Sequence, residues 1–184
     1  MRSNRMRGLL LALLSSLALA APGGAAAQVA EETDTASEVK ALAESVSRYR
    51  ATTWHWQRVV GKRRSPTRYM ERKTTDLGHL TAIRDMWKRR ATRTRARGQR
   101  PPHRAAWLCI KRYEGHWKDP HAPYWGGLQM SMQFQRAFGR YLLRKKGTAN
   151  RWKPAEQMWT AEKALRAGLG FHPWPNTARR CGLL

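Results

Sequence analysis

The sequence predicts a mainly α-helical protein: a small C-terminal domain with one disulfide, preceded by a helical, basic N-terminal region. Three observations lead there. Apolar residues recur at three- and four-residue spacing in several separate segments. Serine, aspartate, proline and glycine fall where the ends of those segments need caps and stops. No segment alternates apolar and polar residues as a half-buried strand would.

The first 27 residues read as a secretory signal peptide. Arg2, Arg5 and Arg7 supply a positive start and Gly8 to Ala20 is an apolar run. Small residues then offer cleavage sites at Ala18-Leu19-Ala20 or Ala25-Ala26-Ala27. The run is short for a membrane span, although an uncleaved N-terminal anchor is the alternative. Gln28 to Ser37 is acidic and small-residue rich, which predicts a flexible lead. Val39, Leu42, Val46 and Tyr49 then give an amphipathic helix over Ser37 to Arg50.

From Ala51 to Arg72 the periodicity fades. Trp54 and Trp56 stand among arginines there, and Ser65-Pro66 breaks the chain. Leu77, Leu80, Ile83 and Trp87 predict a second helix, capped by Thr75 or Asp76. It runs into a basic tract over 88–100, read as a solvated helix end and charged linker that also gives adhesion to anionic surfaces. Pro101-Pro102 marks the expected domain boundary, leaving 28–101 as the basic N-terminal region and 102–184 as the domain.

In that domain Pro102 suits a first helical position, with Ala106, Cys109, Ile110 and Tyr113 on one face of a helix. Ser131 caps a helix carrying Phe134, Ala137, Phe138, Tyr141 and Leu142, ended by Arg144-Lys145-Lys146 and Gly147. Pro154 opens a third helix with Met158, Ala161 and Leu165, closed by Gly168 and Gly170. The tail from Trp174-Pro175 to Cys181 reads as irregular.

Export favours pairing of the two cysteines, because an oxidising compartment keeps disulfides formed. A Cys109–Cys181 bridge would add about 4 kcal/mol by restricting the unfolded chain, which matters in a domain with a limited core. No metal or cofactor is expected: His116, His121 and His172 are scattered and match no ligand spacing with the cysteines. The net charge of +24 is the other strong signal, and nearly all of it lies beyond residue 50. Such a field attracts polyanions. For an exported chain these are cell-wall polymers or lipid head groups, and nucleic acid is not expected.

Four acids lie in 102–184: Glu114, Asp119, Glu156 and Glu162. Glu156 falls in the first turn of a helix, where its charge suits the dipole. Glu162 precedes Arg166 by four residues and reads as an ordinary surface pair. Glu114 differs, since it ends a helix at the edge of the core-facing stripe, beside an aromatic loop. Partial burial against Trp117, Tyr124 or Trp125 would raise its pKa and keep a proton on it, as a general acid needs.

Trp107, Glu114-Gly115, Trp117, the run Tyr124-Trp125-Gly126-Gly127-Leu128-Gln129-Met130 and Trp174-Pro175 before a cysteine occur in that order. In this the chain resembles, over about 103–184, the transglycosylase-like domain of resuscitation-promoting factors. Those are exported proteins with a reduced lysozyme-like fold that act on peptidoglycan. The resemblance implies that Glu114 is the catalytic glutamate and that Gly126 to Gln129 form the substrate-cleft turn. Two features depart from the family. Its loop between glutamate and turn is usually longer. Its first cysteine directly precedes the glutamate, where this chain has Tyr113, and its second lies closer to the Trp-Pro pair; both cysteines here are displaced together.

Glycoside hydrolysis normally uses two carboxyl groups about 5 to 9.5 Å apart. Asp119 is the only nearby candidate for a second, though Asp119-Pro120 also starts a plain turn. A lytic transglycosylase needs only one acid/base. The expectation is therefore a secreted, wall-associated enzyme that cuts the MurNAc-GlcNAc β-1,4 bond with Glu114, as a lytic transglycosylase or muramidase. Gln129 would hydrogen-bond an acetamido group beside Gly127, while Trp117, Tyr124 and Trp125 would stack on sugars; two of those three aromatics are as readily core. The rival reading is a non-catalytic cationic protein that binds wall polymers or nucleic acid, with arginines interleaved among Trp54, Trp56 and Trp87.

Overall fold

A computed structural model describes residues 23–184. The expected signal peptide thus lies outside the described residues, except for 23–27, which are helical. The chain divides into two compact units, 1–37 and 38–184. All that is described of the first is helix, because α1 runs Gly23–Val59. The lead expected to be flexible over 28–37 is helical instead; its alanines, glutamates and glutamine are strong helix formers.

The second unit continues with α2 (Met70–Lys73), α3 (Leu77–Gly98) and α4 (Arg104–Glu114). A two-stranded antiparallel hairpin follows, β1 (Tyr124–Trp125) and β2 (Met130–Ser131), pairing Tyr124 with Ser131 and Trp125 with Met130. Then come α5 (Met132–Phe138), α6 (Arg140–Lys146), a 3-10 turn (Ala149–Arg151), α7 (Pro154–Ala164), a π-helical turn (Leu165–Leu169) and α8 (Pro175–Arg180). The protein is mainly helical, and Cys109 and Cys181 are joined in a disulfide.

Local chemistry sets several boundaries as the sequence suggests. Asp76 caps α3 by accepting from the His79 N–H at 2.7 Å, and Ser131 caps α5 by accepting from Phe134 at 3.1 Å. Pro154 opens α7, and Gly147 ends α6 at φ +80°, a conformation that suits glycine. Three boundaries differ. The single helix expected from Ser131 onward breaks at Gly139, where a Cβ would meet the Trp152 ring at 2.4 Å. Pro102 stands one residue before His103, the N-cap of α4. The tail expected to be irregular forms α8, with Pro175 in its first turn.

The proline pair at 101–102, the expected domain boundary, lies inside the second unit. The physical reason is the core. Trp56 and Val59 of α1, with Val60 just after it, are buried in the same cluster as Trp107, Ile110 and Trp159. Of the basic tract, 88–98 form the second half of α3, burying Ala91 and Gly98 and turning most of the arginines outward. The faded periodicity of 51–60 has the same cause, because the chain there is packed from more than one side.

Gly98 marks the closest approach. A Cβ there would lie 2.1 Å from the Trp56 ring, and its carbonyl accepts from the Trp159 indole at 2.8 Å. Alanine normally improves a helix interior relative to glycine. Here Gly98→Ala is expected to destabilise by about 1–3 kcal/mol, the cost of overpacking, as read by urea unfolding. A stabilised variant would show that Trp56 gives way freely.

Glu156 joins α7 to α1 and α6. Its carboxyl receives Lys146 Nζ at 2.6 Å and the Lys153 N–H at 2.7 Å, and faces His55 Nε2 at 2.8 Å. Burial pushes this carboxyl up, but the His55, Lys146 and Lys153 contacts outweigh it and bring it down to about 2. An acid whose folded pKa lies below its unfolded value stabilises the fold above the unfolded value and loses that contribution as pH falls through the folded one. The loss therefore falls between roughly pH 4.5 and pH 2 and amounts to something on the order of 3 kcal/mol. Urea unfolding across that window should show the slope, and Glu156→Gln should flatten it.

Candidate functional site

Helix α4 delivers Glu114 as its last residue, and the chain leaves the helix extended at Gly115. A Cβ on Gly115 would come within 2.8 Å of Gln129 Nε2 and 3.5 Å of an Asp119 carboxyl oxygen. A residue without a side chain lets the Gln129 amide pack this closely against the backbone that follows the glutamate. Glu114 is half-buried, and its Oε1 accepts the Thr177 hydroxyl of α8 at 2.7 Å. Its other carboxyl oxygen has no hydrogen-bond partner among the described residues.

Thr177 suits both protonation states of this carboxyl. Its hydroxyl also lies 3.3 Å from the Trp174 carbonyl. With a carboxylate opposite, the hydroxyl donates to Glu114. With a carboxylic acid opposite, it can accept from Glu114 and donate to Trp174 instead. The disulfide serves this contact, because it joins α4, five residues before Glu114, to the residue that follows α8.

The turn 126–129 is fixed from beneath. Gly126 has φ +77°, and a Cβ there would meet the Gln157 side chain at 2.6 Å. Gln157 Oε1 accepts the Gly127 N–H at 2.9 Å, while its Nε2 donates to the carbonyls of Trp117 and Ala149. A Cβ on Gly127 would meet the Trp117 ring at 2.6 Å. Trp174 Nε1 donates to the Leu128 carbonyl at 2.6 Å. One buried amide and one indole thus hold the backbone of the bend, a rigid support of the kind a binding site needs.

Gln129 adopts φ +46° and turns its amide inward. Its Nε2 donates to Asp119 at 2.8 Å and to the Gly126 carbonyl at 3.0 Å, which occupies both of its N–H groups. Its Oε1 is left as the acceptor for an incoming N–H, such as that of an acetamido group. Asp119 is also committed on both sides, to Gln129 and to His121, whose backbone N–H lies at 3.2 Å. The His121 side chain, then its backbone N–H, then Gln129 hold this carboxyl below the usual aspartate range. Asp119 is therefore an ionised brace for the turn.

Of the three aromatics, Trp117 and Trp125 are half-buried and pack against the core, whereas Tyr124 is 50 % exposed on β1. The structure thus brings together Glu114, Asp119, Gly127 and Gln129 around Gly115 and its facing turn, with Trp117 behind them. Sequence reasoning missed Thr177 and Gln157. A threonine two residues after Trp174-Pro175 and a glutamine beside a helix-start glutamate carry no local signal of their roles.

The other acids of this region lie elsewhere. Glu162, expected as a surface partner of Arg166, is 1 % exposed. It accepts the Trp107 indole and the His103 backbone N–H, each at 2.8 Å. Among the described residues no group of histidine, cysteine and carboxylate side chains is arranged to hold a metal ion. No helix among them is long and apolar enough to cross a membrane. Comparison of the chain with protein-family models, with characterised proteins and with solved structures returns no match.

Proposed function

We propose that the protein is an exported, wall-associated enzyme that cleaves the MurNAc-GlcNAc β-1,4 bond of peptidoglycan, with Glu114 as its single acid/base and a reduced lysozyme-like domain around it. The observation that carries this reading is the state of the Glu114 carboxyl. One oxygen is pinned by Thr177, the other is unpartnered among the described residues, and the Gln129 amide of a rigid glycine turn packs against Gly115, the next residue in the chain. The order of motifs shared with resuscitation-promoting factors supports the same assignment. Glu114 protonates the glycosidic oxygen, so that the C1–O bond breaks and positive charge develops on the muramic ring. The resulting carboxylate then takes the proton of the muramic 6-hydroxyl as that oxygen bonds to C1. Proton and bonds balance without water, and the product is a 1,6-anhydro sugar.

Asp119 supports this route over hydrolysis, since both its oxygens are engaged in holding the turn. A muramidase would need that carboxylate, or another, to activate water. The test is mass spectrometry of soluble products from purified peptidoglycan treated with the disulfide-intact protein. Anhydro-muropeptides are expected. Reducing-end muropeptides would convert the reading to a muramidase, and no soluble product at any protein concentration would leave the non-catalytic cationic binder in its place.

A further inference from the structure

A second site is built on the face of the domain formed by α1 and α6. A cavity of about 440 Å³ there is walled by Arg58, Arg64, Arg144 and Lys145. Its aromatic walls are Trp54 and Tyr141, with His55 among the lining. A neighbouring cavity of about 400 Å³ shares Ala51, His55 and Lys145 with it and adds Arg95, Lys146 and Lys153. The two form one trough, within the size range of ligand sites.

Its charge is not neutralised from within. The one carboxylate lining it is Glu156, which is already bonded to Lys146 and to the Lys153 N–H and faces His55. Arg58, Arg64, Arg144 and Lys145 have no carboxylate within ion-pair distance among the described residues. Three guanidinium forks around one concavity match the geometry of phosphate oxygens. Like charges gathered this closely repel one another, so the arrangement gains most when an anion enters it.

The aromatic residues decide which kind of anion. A strand that carries bases binds by stacking them on open ring faces. Here Arg50 and Arg64 lie over the Trp54 ring at 5.3 and 5.1 Å, and Arg58 and Lys145 over the Tyr141 ring at 5.0 and 5.8 Å. The rings hold the cations in place and offer no platform to a base. Tyr141 is fixed further by its hydroxyl, 3.0 Å from His55 Nδ1. A concave trough also admits a strand more readily than it meets a flat bilayer.

We infer that this trough binds a phosphodiester polymer without bases, of the poly(polyol phosphate) class. It reads charge and phosphate spacing only. The inference does not rest on Glu114 being catalytic. It gives an enzyme of the wall a second hold on the anionic polymers that accompany glycan strands.

The test uses the full disulfide-bonded chain and a fluorescent short poly(glycerol phosphate) as probe. All four cavity cations are exposed side chains, so Arg58→Gln/Arg144→Gln should leave the fold intact, checked by its thermal transition. That pair is expected to weaken binding about tenfold or more and to lower the salt slope by about two, one per lost phosphate contact. Removing the same charge elsewhere, as Arg72→Gln/Lys73→Gln on α2, should change affinity by less than about threefold. Arg64→Gln/Lys145→Gln serves as a second trough variant if the first is unstable. Equal losses at both places would overturn the site, as would equal or tighter binding of a single-stranded oligonucleotide or of anionic lipid vesicles through the same arginines. Glu114→Gln should bind the probe like the unmodified protein. The trough variant should in turn digest peptidoglycan stripped of phosphate polymers at the unmodified rate, so that failure of either site is read separately.

Discussion

Glu114→Gln should lower muropeptide release from purified peptidoglycan by about a hundred- to ten-thousandfold, the range general acids contribute. The substitution isolates the proton. Glutamine has the same shape, and its amide oxygen can still accept the Thr177 hydroxyl that Oε1 accepts at 2.7 Å. The contact between α4 and α8 survives, and unfolding should shift by less than about 0.5 kcal/mol. What glutamine lacks is a labile proton for the departing sugar oxygen. Binding to intact wall should be unchanged, because the trough proposed to hold wall polymers is built on α1 and α6. Thr177→Val gives the complementary result. It leaves the acid in place but releases its orientation, so kcat should fall about tenfold while KM stays near its original value, a positioning effect. Equal product release by the glutamine variant and the unmodified protein would remove Glu114 from the mechanism.

The parts of this molecule that sequence reasoning reaches are those decided within a few residues. The Asp76 and Ser131 caps, the Pro154 start and the Gly147 stop each depend on one side chain and the adjoining turn. The Glu114-Gly115 pair and the turn 126–129 lie within fifteen residues of one another, so their pattern survives in the chain. Supports contributed from elsewhere leave no such mark. Gln157 reaches Gly127 across 30 residues and Thr177 reaches Glu114 across 63. The fusion of α1 and α3 with the rest hinges on Gly98 fitting beneath Trp56, a matter of packing that composition does not reveal. A basic tract looks like a linker when its arginines are counted. It is a buried-faced helix once Ala91 and Gly98 are seen as its inner stripe.

Glu162→Ala is expected to cost about 3–5 kcal/mol in chemical unfolding, the largest stability loss among the substitutions considered. The spacing to Arg166 suggests a helical surface pair, but α7 ends at Ala164 and the π-helical turn carries Arg166 away. That arginine donates instead to the Val60 carbonyl at 3.3 Å and lies over the Trp159 ring. Glu162 points into the core, and its loss would leave the Trp107 indole and the His103 backbone N–H without their acceptor. The orphaned buried Trp107 indole costs about 1–3 kcal/mol, the part-buried His103 N–H costs less, and the truncated methylenes add a cavity. The damage should also reach the candidate site. Trp107 packs edge-on against Trp174, whose indole secures the Leu128 carbonyl in the glycine turn, and α8 presents Thr177 to Glu114. Arg166→Ala, by contrast, removes a partly exposed contact and should cost less than about 1 kcal/mol. If the two substitutions cost the same, the buried carboxyl is not what holds α4 to α7.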